Sequence, residues 1–389
     1  MRLLHTSDWH LGRTLVTEDL LPHSKVFLDW LLARAVEHRV DVVVVAGDVY
    51  DRAVPPIEAV RLLDETLRAF AQAKIPMLIT SGNHDSPVRL GFGGALREIA
   101  GIHLRTSVAA ISRPALVRDE FGEVAIYGMP YLLPDAVMRD LEAERSHASV
   151  LARAAARVKE DAAARGLART VLVGHALVSG GQLSDSERDI RVGGIADVGA
   201  GVFGGFSYVA LGHLHGQQSV NAGVAGTTMR YSGSPLPLSF SEKNQIKGVT
   251  LVEIAGDGAV STQHLAAPVP RPMREVRGKL DELLARADTD LAELDGAWLK
   301  VTLTDGARPA SPMERLRAKW PHTLALEFDP EGGLVDEAAD LQRLAATTDP
   351  VEICSLFVEF VLGEPPRDDQ RQVLRAAVEA AQRAEENDR

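Results

Sequence analysis

Five times the chain runs through a short apolar stretch and then stops in a turn of glycine, histidine, aspartate or asparagine. Leu3-Leu4 leads into Thr6-Ser7-Asp8-Trp9-His10-Leu11-Gly12, and Val42 to Ala46 leads into Gly47-Asp48-Val49-Tyr50-Asp51. Ile75 to Ile79 leads into Ser81-Gly82-Asn83-His84-Asp85, Val171-Leu172-Val173 into Gly174-His175, and Tyr208 to Leu211 into Gly212-His213-Leu214-His215. Apolar runs this short, closed by glycine, predict buried strands rather than helices. Helical spacing lies between the first three, with Phe27, Leu28, Leu31, Leu32 and Ala35 in one stretch and Val60, Leu63, Leu67 and Phe70 in the next. The β-α-β-α-β order predicts an α/β layered fold. In such sheets the working site lies beyond the carboxyl ends of the strands, where all five polar turns fall.

At 389 residues the chain is too long for one ordinary core and predicts two domains with a smaller appendage. No apolar run approaches the ~20 residues of a membrane helix, and His5 and Asp8 interrupt the apolar start, so neither a span nor a signal-peptide core is expected. The single cysteine, Cys354, excludes an internal disulfide framework and a multi-cysteine zinc site, and it fits a reducing cytoplasm. A formal net charge of −12 argues against a protein that simply coats nucleic acid, because nonspecific DNA affinity comes from Lys and Arg neutralising phosphates. Any handling of phosphate therefore needs local positive charge, which bound metal ions would supply.

The first domain is expected over 1–266, closed by a strand at Gly248 to Ile254 and followed by the proline cluster of 267–272. A small α+β domain is expected over 273–335, with helix-like 279–287, strand-like 297–303, a helix at 313–319 and a strand at 323–328. A helical segment is expected over 345–389, broken at Pro365-Pro366.

Taken singly, the polar turn residues have ordinary explanations: Asp48 as a helix cap, Asn83 as a turn former, His175 as a satisfied core histidine. Together Asp8, His10, Asp48, Asn83, His84, His175, His213 and His215 make a metal site the coherent reading. Oxygen and imidazole donors without thiolate suit manganese, iron or zinc better than calcium or magnesium. The donors suffice for two ions sharing one carboxylate, and ions paired at roughly 3.5–4 Å can clamp a phosphoryl group and activate water. Two divalent ions outweigh the charges of Asp8 and Asp48, so the centre would attract an anionic phosphodiester although the chain is acidic.

Asp-x-His, Gly-Asp, Gly-Asn-His-Asp, Gly-His and Gly-His-x-His, in this order, resemble the five motifs of the calcineurin-like metallophosphoesterases. The wording of His5 to Gly12, of Gly47 to Asp51 before Pro55-Pro56, and of Ala210 to His215 is most similar to the SbcD-type nucleases, bacterial relatives of the meiotic-recombination nuclease. The resemblance implies a β-sandwich flanked by helices, a small domain capping the DNA and a C-terminal helical segment. It implies two divalent ions, manganese first, with magnesium, iron or zinc as alternatives. One ion would be held by Asp8, His10 and His215, the other by Asn83, His175 and His213, with Asp48 bridging. His84 would stabilise the transition state or protonate the leaving 3′ oxygen. Asp85 would orient His84 or hold its loop. Asp51 stands where archaeal relatives carry histidine; it either hydrogen-bonds His84 and raises its pKa or fixes the turn.

The implied activity is 3′-to-5′ exonuclease and endonuclease cleavage of duplex DNA ends and hairpins in repair and recombination. It would be exercised as a homodimer, with the stretches 57–70 and 87–100 as candidate contacts, inside a heterotetramer with the ATPase subunit SbcC. No Gly-x4-Gly-Lys-Ser/Thr loop occurs, so ATP hydrolysis falls to that partner. Candidate DNA contacts are Arg13, Arg89, Tyr231, Ser232 and Ser234; Ile353, Phe357, Phe360 and Val361 share a helix face suited to the partner. The glycine-bounded loop 180–194 is either a substrate-facing lid or a plain connection. The rival readings are a phosphatase or cyclic-nucleotide phosphodiesterase on the same core, and a non-catalytic scaffold. Asp51-Arg52-Ala53 and Asn83-His84-Asp85 depart from the phosphoprotein phosphatase pattern, and a scaffold would have shed ligands that are all present.

Overall fold

The computed structural model describes residues 1–188, 190, 198–220, 226–330, 347–362 and 365–387, with backbone alone at 360–362 and 382–387. They form two compact units, Met1–Pro270 and Arg271–Arg389.

In the first unit β1 is Arg2–Thr6, and a small ribbon of β2 (Thr14–Leu15) and β3 (Glu18–Asp19) follows it. Next come β4 (Val42–Ala46), β5 (Met77–Thr80), β6 (Ile102–Arg105), β7 (Ala115–Asp119) and β8 (Gly122–Met129). The series continues with β9 (Arg169–His175), β10 (Tyr208–Gly212), β11 (Gln218–Ser219), β12 (Thr228–Tyr231), β13 (Gly248–Ile254) and β14 (Val260–Ala266). One six-stranded sheet has the order β14-β13-β1-β4-β5-β6 and the other β11-β12-β10-β9-β8-β7. The runs β1-β4-β5-β6 and β8-β9-β10-β12 are parallel throughout, so within each sheet their carboxyl ends share an edge.

Strand β4 shows why its sequence is apolar at every position. Val42, Val44 and Ala46 enter the core between the sheets, beside Leu3, Val171, Val173 and Ala210. Val43 and Val45 face the other way, into a core with Phe27, Leu31, Leu63 and Phe70 of helices α1 (Leu21–Glu37) and α2 (Ile57–Gln72). The second sheet packs its outer face on the helix His147–Ala164 through Leu172, Val209, Leu151 and Val158. This is the helix-flanked sandwich expected. A strand covered on both faces needs apolar residues at consecutive positions, not alternation.

The second unit corrects one expectation. Its strands β15 (Met273–Gly278), β16 (Trp298–Leu303) and β17 (Thr323–Phe328) are all parallel. Helices Leu280–Ala285 and Pro312–Lys319 lie between them in sequence, so the arrangement is α/β rather than α+β. Arginines at 274 and 277 concealed β15, half of whose residues are exposed. The core is Leu280, Leu283, Leu299, Val301, Leu303, Leu316 and Trp320. Helices Pro350–Leu362 and Asp368–Asn387 follow.

Candidate metal centre

The donor-bearing turns are bonded to one another before any side chain is considered. Asp8 N–H donates to the Gly47 carbonyl at 3.1 Å and His10 N–H to the Asp48 carbonyl at 3.0 Å, so the turns after β1 and β4 run side by side. Asp8, His10, Asp48 and His213 hold φ values of 53°, 44°, 48° and 104°. Left-handed backbone at non-glycine residues is costly and clusters where side chains must be aimed. Gly212 is glycine for a different reason: a Cβ there would stand 1.8 Å from the Ala46 carbonyl oxygen, where the two sheets meet.

Asp8, His10, Asp48, His175, His213 and His215 are at most 2% exposed. Ligand atoms lie within 4.8 Å of one another in three overlapping groups: Asp8 with His10 and His215, His10 with Asp48 and His84, and Asp8 with Asp48 and His175. The His175 and His213 rings are 5.4 Å apart, and His175 Nε2 is 2.9 Å from Asn83 Oδ1. Neither ring nitrogen of His10 completes a hydrogen bond, nor does Asn83 Nδ2, although all three atoms are buried. Buried polar atoms are normally paired. A nest of buried nitrogen and oxygen donors with unspent valences is what divalent ions require, and the arrangement fits a two-metal site.

The electrostatics agree. Burial works against charge on His10 and His175, yet Asp51, Asp48 and Asp8 outweigh it at His10, which is raised, and Asp48 and Asp8 at His175, which is taken to about 9. Burial likewise opposes the Asp48 carboxylate, but His175 and His10 hold its pKa well below the usual range. Asp8, penalised by burial and by Asp48, is raised. His213 falls to about 3, first through burial and then through His175.

Hydrogen bonds aim the rings. His175 Nδ1 lies 2.9 Å from the Ala46 carbonyl, which leaves Nε2 for Asn83 and Asp48. His215 Nδ1 meets Ser186 Oγ at 2.6 Å and lies 3.4 Å from Glu242 Oε1. Glu242 is 1% exposed and is paired with Lys247, which donates to the His215 carbonyl at 2.9 Å. Such outer partners fix a metal-ligating imidazole's orientation. Sequence reasoning missed Ser186, Glu242, Lys247 and Glu187, which accepts the His215 N–H at 2.8 Å; Ser186 and Glu187 lie in the loop 180–194, read only as a substrate-facing lid or a plain connection.

The remaining candidates divide clearly. Asp85 accepts from the backbone N–H groups of Gly82 (2.9 Å), Tyr50 (2.9 Å) and Val49 (3.1 Å), so it holds two turns together. His84 Nδ1 lies 2.7 Å from the Asp51 backbone carbonyl, not its carboxylate. The Asp51 carboxylate instead accepts from Arg13 at 3.0 Å and lies 3.4 Å from His10 Nδ1. His84 is lowered to about 4, chiefly by burial, where a raised value had been one alternative. Arg13 is thus engaged by Asp51, and Arg89 donates to the Ala53 carbonyl at 3.0 Å.

Tyr231, Ser232 and Ser234 do not face solvent as DNA contacts would. All three are fully buried, and their hydroxyls donate to the carbonyls of Ala176, His5 and Leu236. Ile353 and Phe357 are exposed; the side chains of Phe360 and Val361 lie outside the described residues, as do Asp189 and 191–194 of the loop.

Residues 1–217 match the family described as calcineurin-like phosphoesterase, and residues 269–362 match the SbcD C-terminal family, described as the type 5 capsule protein repressor C-terminal domain. Among solved structures the chain is similar to the calcineurin-like phosphoesterase YfkN of Bacillus subtilis, at 14% identity over 69% of this chain and 89% of that one, TM-score 0.38. It is similar to the sulfate thiohydrolase SoxB of Thermus thermophilus at 13% identity over 68% and 56%, TM-score 0.36. A dimetal phosphatase from Danio rerio matches at 12% identity over 68% and 98%, TM-score 0.41.

Proposed function

This chain belongs to the calcineurin-like phosphoesterase family, and from that premise we propose that it is the nuclease subunit of an SbcCD-type complex, hydrolysing phosphodiester bonds at duplex DNA ends and hairpins. The observation that carries this reading is the tandem of a metallophosphoesterase match over 1–217 and an SbcD C-terminal match over 269–362. A compact phosphatase has no use for the second.

Asp8, His10 and His215 would hold one divalent ion and Asn83, His175 and His213 the other, with Asp48 shared; manganese is the metal proposed. Such a pair supplies Lewis acidity and an activated water. His84, whose Nδ1–H is spent on the Asp51 carbonyl, would have to take up a second proton at Nε2, against its lowered pKa, to donate to the leaving oxygen or to charge developing on the phosphate. Asp85 and Asp51 position the turns around it.

The second unit is proposed to cap the DNA. Two features support the proposed partners. Ile57, Val88, Phe92, Leu96 and Ile99 are at least 66% exposed, a large apolar surface for a lone chain. Arg89 bonds the carbonyl of Ala53, just ahead of Ile57, and this surface is proposed to take a second copy. Ile353 and Phe357, 38% and 65% exposed on the helix Pro350–Leu362, suit the ATPase SbcC. Among the described residues no helix is long and apolar enough to cross a membrane, and a cytoplasmic location is proposed.

The test is cleavage of hairpin and blunt duplex DNA with manganese, comparing wild type with His84→Gln. Wild type should cut and the variant should not. Robust hydrolysis of small phosphomonoesters alongside inert DNA would overturn the nuclease reading in favour of a phosphatase.

A further inference from the structure

The acidic chain needs positive charge where a DNA strand would meet the centre, and most nearby cations are committed elsewhere. Arg13 is engaged by Asp51, Arg89 by the Ala53 carbonyl and Lys247 by buried Glu242. Arg188 differs. It is exposed, and among the described residues its one hydrogen bond is a long contact, 3.5 Å from Nη1 to the backbone carbonyl of Asn83. Its charge is also felt at the His84 ring and the Tyr131 hydroxyl.

The chain on both sides of Arg188 is anchored. Glu187 accepts the backbone N–H of His215 at 2.8 Å and, through its other oxygen, the N–H and hydroxyl of Ser184 at 2.7 Å. Ser186 meets His215 Nδ1 at 2.6 Å. Beyond Arg188, the carbonyl of buried Ile190 lies 3.0 Å from His147 Nε2. The segment is therefore pinned at His215 on one side and at His147 on the other, and between these points Arg188 reaches the carbonyl of Asn83. A guanidinium offers five N–H donors in a planar fork that matches phosphate oxygens, and among the described residues Arg188 spends only one of them, on the Asn83 carbonyl.

We propose that Arg188 is a substrate-binding residue of this centre, grasping a backbone phosphate of the DNA strand beside His84. The proposal rests on the nuclease reading above and adds the residue that holds the strand.

Initial rates of the full chain with manganese on duplex DNA, taken across a series of salt concentrations, test it with Arg188→Ala and Arg188→Lys. Arg188→Ala should raise KM about tenfold, with the loss falling mainly in KM, and should lower the log–log salt slope by about one. Arg188→Lys should recover the slope but only part of the affinity. Manganese binding by both variants, followed by titration calorimetry, should match wild type. Unchanged KM and slope would overturn the proposal. So would a fall in manganese affinity that accounts for the lost activity, since Arg188 would then merely hold the loop. A wild-type chain that leaves DNA intact yet hydrolyses a small phosphomonoester defeats the nuclease reading itself, and is separately visible.

Discussion

Asp8 accepts the backbone N–H of His213 through both carboxylate oxygens, at 3.1 and 3.2 Å, joining the first and last ligand turns across 205 positions of sequence. The bond forms where His213 holds a φ of 104°, so the carboxylate is both a proposed metal ligand and the clasp of a strained turn. Asp8→Asn keeps an acceptor oxygen while removing a charge that Asp48 repels. Its stability in chelator should match wild type or exceed it by about 1 kcal/mol, while the stabilisation manganese brings should largely vanish. Asp8→Ala should lose about 1–3 kcal/mol in chelator, because the buried N–H is left unpaired. Urea unfolding with and without manganese separates the two.

His84 is oriented by a main-chain carbonyl, so its placement should survive loss of the Asp51 side chain. His84→Gln should slow hydrolysis by about 10²–10⁴-fold with manganese content retained. Asp51→Ala should cost about tenfold or less, through a loosened His10 and Arg13 rather than through His84. Single-turnover rates alongside metal analysis decide; equal losses in the two variants would mean that the carboxylate itself takes part.

The gathering of the donor-bearing turns was legible because their chemistry is local. Each turn carries its own donors and glycine, and strands apolar at every position announce burial on both faces. The supporting shell was not, because it is assembled across the fold. Glu242 reaches Ser186 and His215 from residues 56 and 27 positions away, with no period or motif to mark it. Side-chain direction was the other blind spot: Ser232 and Ser234 follow the last ligands closely, but their hydroxyls turn inward to carbonyls. Asp51 likewise lies beside His84 through its backbone, which composition cannot express.

Metal binding should strengthen with pH. Asp48 and Asp8 overcome burial to raise His175 to about 9, and Asp51, Asp48 and Asp8 raise His10, so in chelator His175 carries a proton at neutral pH that a metal must displace. A ligand must be deprotonated to bind, and affinity therefore falls as pH drops. Manganese titrations at pH 6, 7 and 8 should show affinity rising at each step. Calorimetry in buffers of different ionisation enthalpy should show protons released. A flat profile would mean that His175 is already neutral.

Glu242 and Lys247 form a buried pair, 1% and 3% exposed, behind His215. Burial opposes the carboxylate, yet His215 and Lys247 keep its pKa well below the usual range. Lys247 also donates to the His215 carbonyl and to Ser234 Oγ, each at 2.9 Å, and Glu242 accepts the Leu238 N–H at 3.1 Å. Removing one partner strands a buried charge, so Glu242→Gln or Lys247→Met alone should cost about 3–5 kcal/mol. The double variant should cost clearly less than the sum of the two, since neither charge is then left unpaired. All three variants lose part of the shell that aims His215, and manganese affinity should fall about 10–100-fold in each. Urea unfolding in chelator measures the first effect and metal titration the second. Strictly additive stabilities, or undiminished manganese binding in the double variant, would show that the pair serves packing and not the metal ligand.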